Sequence, residues 1–106
     1  MEQLNQVTLR GFVGSVRVNE IGDTQIARFS VGTEYAYRNN GGNFVIETTW
    51  TNVVAFKGEG MPDFSALVKG ACVEVSGRLR NNRFVDSNGA ERTVTEVMAN
   101  RVVIFK

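Results

Sequence analysis

From Gln6 the chain alternates: Val7 and Leu9 are apolar, Thr8 and Arg10 polar, and Gly11 and Gly14 follow. Alternation of this kind predicts a strand with one buried face, and the glycines let it bend. Turn chemistry comes next, in Asn19-Glu20-Ile21-Gly22-Asp23. In the second predicted strand Ala27, Phe29 and Val31 share one face, with Ile26, Arg28 and Ser30 on the other. A polar run, Tyr35 to Asn43, holds an Asn-Gly step of the kind that closes hairpins. The third strand, Thr48 to Lys57, carries Trp50, Asn52, Val54 and Phe56 on one face and Thr51, Val53 and Ala55 on the other.

One short helix is expected between Pro62 and Gly70. Pro62 suits a first turn, Asp63 suits the positive end of the helix dipole, and Gly70 suits the stop. Phe64, Leu67 and Val68 then form its buried stripe. A fourth strand follows from Ala71 to Arg80, with Val73, Val75 and Leu79 inward and Glu74, Ser76, Arg78 and Arg80 outward. Asp86-Ser87-Asn88-Gly89 is a second hairpin turn, and a last strand runs from about Arg92 to Phe105. Three strands, a short helix and two strands predict an all-β, five-stranded Greek-key OB-fold barrel, although the hairpin turns alone would also fit other small barrels. At 106 residues the chain is read as one such domain, over 1–106.

Composition changes this picture little. The hydrophobic share, 42%, is that of a globular protein, and the net charge is only +1. A nucleic-acid reading must therefore rest on where the charges fall. Nine of the 12 basic residues are Arg, the better residue for stacking and for forked phosphate contacts. The lone Cys72 excludes an internal disulfide, and no apolar leader precedes Asn5, so a cytoplasmic protein is expected. No apolar run is long enough for a membrane helix. Without His, neither a zinc site nor a base titrating near neutrality is available. The carboxylates are scattered, no Gly-rich phosphate loop is present, and neither catalysis nor a cofactor is expected.

The aromatic residues pose the main question. Trp50 and Phe56 lie about 20 Å apart along one strand face. From periodicity alone either face of that strand could be the core one. Tyr37 and Phe84 favour an outward face for the rings, since each lies beside a predicted hairpin turn with an arginine next to it, Arg38 or Arg83. Exposed rings interleaved with arginines make a stacking surface for unpaired bases. Arg78, Arg80, Arg83 and Arg92 form a basic row leading into the second turn, and Arg38, Lys57 and Asn52 are further candidates for backbone or polar contacts.

The pattern resembles the DNA-binding domain of bacterial single-stranded DNA-binding proteins over nearly the whole chain, Asn5 to about Val103. The resemblance is carried by Asn5-x-Val7-x-Leu9-x-Gly11-x-Val13-Gly14, Phe29-Ser30-Val31-Gly32-Thr33 and Trp50-x-x-Val53-Val54-x-Phe56. It continues in Lys69-Gly70-x-x-Val73-x-Val75-x-Gly77-Arg78-Leu79-Arg80 and Asp86-x-x-Gly89-x-x-Arg92-x-x-x-Glu96-Val97. It implies an oligomer, usually a homotetramer with a dimer as the alternative, that coats single strands in replication, recombination and repair. It also implies stacking on Tyr37, Trp50, Phe56 and Phe84, with Tyr37 and Phe84 standing where better-known members carry Trp. Asn52 and Gln6 stand where basic residues are common, and Thr51 where His is frequent near the subunit interface. The family's acidic recruitment tail is expected to be absent, because the sequence ends at Lys106 after the last predicted strand. The competing reading is a PriB-like OB adaptor of a primosome, with mainly protein partners.

Overall fold

The computed structural model describes residues 1–105. Five strands, β1 (Val7–Ile21), β2 (Thr24–Arg38), β3 (Phe44–Phe56), β4 (Cys72–Val85) and β5 (Glu91–Phe105), close a barrel in the order β1-β2-β3-β5-β4. Every pairing is antiparallel except β3 with β5. This is the five-stranded OB barrel, and its narrow bore explains the choice of core residues. Val13, Val31, Val53, Val73, Val75 and Val97, with Ala27 and Ala55, fill it from alternate positions of all five strands. The larger Phe29, Phe64 and Leu67 join the same core.

The segment between β3 and β4 is shorter in structure than the expected helix. It holds a single 3-10 turn, Phe64–Ala66, capped by the Asp63 carboxylate, which accepts from the Ser65 N–H at 3.0 Å. Phe64 and Leu67 are buried as expected, whereas Val68 is exposed. The reason is geometric: the chain turns extended at Leu67, so no second helical turn carries Val68 back over Phe64.

Leu79 is the second correction. It was expected inward and is 43% exposed. The pairing of β4 with β1 ends at Val7 opposite Gly77, and a bulge interrupts β4–β5 between Ser76 and Gly77. Past that point β4 has lost its β1 neighbour, so its inward positions no longer face a closed layer. Asn5 covers part of the gap: its side chain donates to the Leu79 carbonyl at 2.8 Å and accepts from the Leu79 N–H at 2.9 Å. These are the two backbone groups that a continuing β1 would have paired.

Two arms extend beyond the barrel. The β1–β2 ladder stops at Phe12 opposite Gly32, yet β2 and β3 pair on to Arg38 opposite Phe44. Likewise β4 and β5 pair on to Val85 opposite Glu91. Both tips use the same device. Asn39 Oδ1 accepts from the N–H groups of Gly41 and Asn43, and Asp86 Oδ1 from those of Asn88 and Ala90. A side-chain oxygen two residues ahead of its donor is an Asx turn, which explains Asn and Asp at these positions.

Candidate nucleic-acid interface

The outer surface of the barrel is built row by row from strand register. One row runs Ser15, Ser30, Asn52, Glu96, Arg80 across β1, β2, β3, β5 and β4. The next runs Arg17, Arg28, Val54, Met98, Arg78. A third brings Phe12, Gly32 and Trp50 side by side. Val53 and Ala55 point inward and are buried, so Trp50 and Phe56 are left on the outside. The question that periodicity left open is thereby answered for both rings.

Trp50 is 58% exposed, and its support is specific. A Cβ added to Gly32 would lie 2.8 Å from Cζ3 and Cη2 of the indole, and one added to Gly14 would lie 2.6 Å from Cζ3. The ring therefore rests on the bare backbone of the two neighbouring strands with much of its surface open to solvent. Any side chain at either position would lift it. Sequence reading took Gly14 as a bend and missed this role. The available signal was a lone Trp in a strand next to strands bearing glycine at matching depth.

Phe56 and Phe84 are also exposed on this outer face, Phe84 opposite Arg92 in register. Tyr37 is placed differently. The β2–β3 register is unbroken from Gly32 to Arg38, so Tyr37 and Tyr35 lie on the opposite face of the arm from Trp50. Their ring centroids are 6.1 Å apart. The large apolar residues of the arm that do share the Trp50 face are Ile46 and Phe44, both exposed, and the Arg38 guanidinium stands 5.3 Å from the Phe44 ring centre. Val54, expected to share the exposed face of β3, is 2% exposed. It lines a cleft together with Arg17 and Arg28 of its own row and Ser15, Asn52 and Glu96 of the next.

The basic residues divide into engaged and free. Arg80 Nε bonds Glu96 Oε1 at 2.9 Å, Arg92 Nε bonds Asp86 Oδ2 at 2.9 Å, and Arg83 lies 3.6 Å from Glu91. Lys57 donates to the Pro62 carbonyl at 3.0 Å and sits over Phe64, which ties it to the chain leading into the 3-10 turn. Among the described residues, Arg17, Arg28 and Arg78 have no carboxylate partner and occupy one row beside the aromatic face. Arg17 and Arg28 were not among the expected contacts. Arg28 was legible as outward from its alternation with Ala27 and Phe29, but its alignment with Arg17 and Arg78 depends on register between distant strands.

Asp86 has its pKa held below the ordinary carboxylate value, first by the Arg92 guanidinium and then by the Ala90 and Asn88 N–H groups. A lowered folded pKa means that this contribution is present above the unfolded value and is lost as pH falls through the folded one. The tip of the β4–β5 arm is therefore expected to loosen below about pH 4. Amide chemical shifts of Asn88, Gly89 and Ala90 followed from pH 6 to 2 would show it. Unchanged shifts over that range would contradict the assignment. Among the described residues no group of His, Cys, Asp and Glu side chains gathers as a metal site, and no helix is long and apolar enough to cross a membrane.

A model of the single-strand binding protein family matches residues 4–105. The chain belongs to that family. It is 29% identical over 102 residues to the single-stranded DNA-binding protein of Neisseria meningitidis serogroup A, covering 93% of this chain and 58% of that relative. Against the mitochondrial single-stranded DNA-binding protein of Drosophila melanogaster it is 29% identical over 106 residues, covering 97% and 72%. With single-stranded DNA-binding protein 1 of Xylella fastidiosa the identity is 33% over 103 residues, covering 93% and 75%. This chain thus spans little more than half the length of the Neisseria relative. Among solved structures, the Plasmodium falciparum SSB complex with ssDNA superposes with a TM-score of 0.84 at 24% identity, covering 100% of this chain and 98% of that one. A deletion mutant of the Thermus aquaticus single-stranded DNA-binding protein gives 0.77 at 20% identity, covering 97% and 51%. Both likenesses are of fold, and they place this member of the family in the OB class.

Proposed function

We propose that this chain binds single-stranded DNA with little sequence preference and protects it during replication, recombination and repair in the cytoplasm. The observation that carries the reading is the Trp50 indole lying on a glycine floor with its surface open. Three free arginines in one row beside it supply the charge that a phosphate backbone needs. Bases stack on Trp50, Phe56 and Phe84, while Arg17, Arg28 and Arg78 take phosphates. Tyr37 and Arg38 are contacts for strand that passes along the β2–β3 arm. Lys57, Arg83 and Arg92 are secondary contacts, since each is already engaged within the protein. No catalytic step and no cofactor form part of this reading.

Because Trp50 is the only tryptophan, its fluorescence reports directly on the site. Titration with oligo-dT is expected to quench it, less strongly as salt rises, with no matching effect from duplex. Absence of quenching at low salt would favour the adaptor reading instead. Arg78→Ala is expected to lower the slope of log affinity against log salt by about 0.7, the share of one single-strand phosphate contact. An unchanged slope would remove Arg78 from the contacts.

Self-association is part of the proposal. Phe12 and Phe105 are exposed large rings placed on either side of Cys72 by the β1–β4 and β4–β5 registers. Arg10 lies 5.6 Å from the Phe105 ring centre. Two exposed aromatics flanking one strand suit a face covered by another copy, as in a homotetramer or a dimer. Light scattering of the wild type and of Phe12→Ser tests it: the mass should fall in the variant.

A further inference from the structure

A cleft of about 350 Å³ opens on the outer face at the level of β3 between Trp50 and Phe56, and the stacking reading uses only its two arginines. Arg17, Arg28 and the buried Val54 line it from one row, and Asn52 and Glu96 from the next. Glu96 is the one buried charged residue described, 6% exposed. Its Oε1 is taken by Arg80 Nε at 2.9 Å. Its Oε2 has no protein donor, and no enclosed side-chain oxygen among the described residues lacks a partner, so Oε2 opens onto the cleft that the residue lines. A carboxylate fixed through one oxygen leaves an acceptor of defined direction in a partly desolvated place. Such a group rejects carbonyl oxygens and takes N–H donors.

We infer that the cleft is a nucleobase pocket favouring a base with an amino group on its pairing edge, with cytosine as the probe. This rests on the single-stranded DNA reading above. Asn52 and Glu96 are register neighbours on β3 and β5, so their polar ends meet one base edge. Cytosine offers its N4–H₂ to Glu96 Oε2 and its N3 and O2 to the Asn52 amide. Thymine brings O4 to the carboxylate, two acceptors facing each other. The apolar side chain of Val54 receives the base, and Arg17 and Arg28 hold the phosphates on either side of it. Arg80 is then a positioning residue rather than a phosphate contact: it neutralises Glu96 and aims its free oxygen.

The test uses Trp50 fluorescence titrations with oligo-dT strands carrying a central run of deoxycytidine or of 2-pyrimidinone deoxynucleoside, which is cytosine without the amino group. The wild type is expected to bind the cytosine strand about 5- to 10-fold more tightly, the lower part of what one well-placed base contact supplies. Glu96→Gln reverses the chemistry. With its oxygen held by Arg80, the variant presents an N–H₂ to the cleft, and the ratio of cytosine to thymine affinity should fall about tenfold or more. Asn52→Ala, at an exposed position away from the ion pair, should reduce the cytosine preference without touching Glu96, and it carries the protein side of the test if Glu96→Gln fails to fold. Equal wild-type affinity for the cytosine and pyrimidinone strands, with oligo-dT still bound, overturns the pocket and leaves the stacking reading standing. No quenching by any strand overturns both.

Discussion

Replacing Trp50 by alanine is expected to weaken oligo-dT binding about 5- to 150-fold, the equivalent of ~1–3 kcal/mol of stacking, while the barrel stays folded. The fold should survive because the indole fills no core space: Val53 and Ala55 do that work on the other side of the strand. Phe56→Ala should behave in the same way with a smaller effect, since a phenyl ring offers less surface than an indole. Gly32→Ala sharpens the test. It leaves Trp50 in place but sets a methyl group 2.8 Å from the ring, which must then tilt away from its bed. Affinity should fall with only a modest loss of stability. A circular dichroism melt beside each titration separates the two effects, and a Trp50→Ala protein that binds as tightly as the wild type would remove the stacking site altogether.

Gly77→Ala is expected to lower stability by about 3 kcal/mol or more. The contrast with Gly32 is in what the new methyl group would strike. At Gly77 it would run into the Met98 carbonyl oxygen and lie 2.9 Å from the Ala99 Cα, both backbone. The β5 bulge carries that backbone across Gly77, and buried strands on either side prevent it from moving away. A side chain such as Trp50 swings aside at low cost, whereas a ladder must break. Urea denaturation should show the midpoint of Gly77→Ala far below that of Gly32→Ala. Similar midpoints would mean that the bulge gives way easily.

Much of the barrel was legible because a narrow bore imposes a strict alternation of Val and Ala. Val73 and Val75 read as inward and are inward, and Ala27, Phe29 and Val31 share one face and bury it together; for Val53 and Ala55 periodicity left both faces open, and the closed barrel puts them inside. What could not be read depends on pairs distant in sequence. Leu79 has the right residue type and parity for the core, yet it lies past the end of the β1 ladder. Arg80 looks like its neighbour Arg78, but only the β4–β5 register sets it against Glu96 and leaves Arg78 free. Tyr37 carries the same local signals as Phe84. The unbroken β2–β3 register nevertheless turns it away from Trp50, and no window of a few residues holds that information.

The two arms that run past the barrel have a consequence for how such a protein can diversify. Beyond Gly32 and Arg80 each is a ribbon held by its own ladder and an Asx-closed tip, with no share in the sealed interior. Adding or removing residues in facing pairs preserves the alternation of both strands and leaves every interior side chain where it was. Each arm is therefore an exchangeable cassette. Its reach and its aromatic content can be retuned for a longer or shorter stretch of nucleic acid, with the load on the scaffold unchanged.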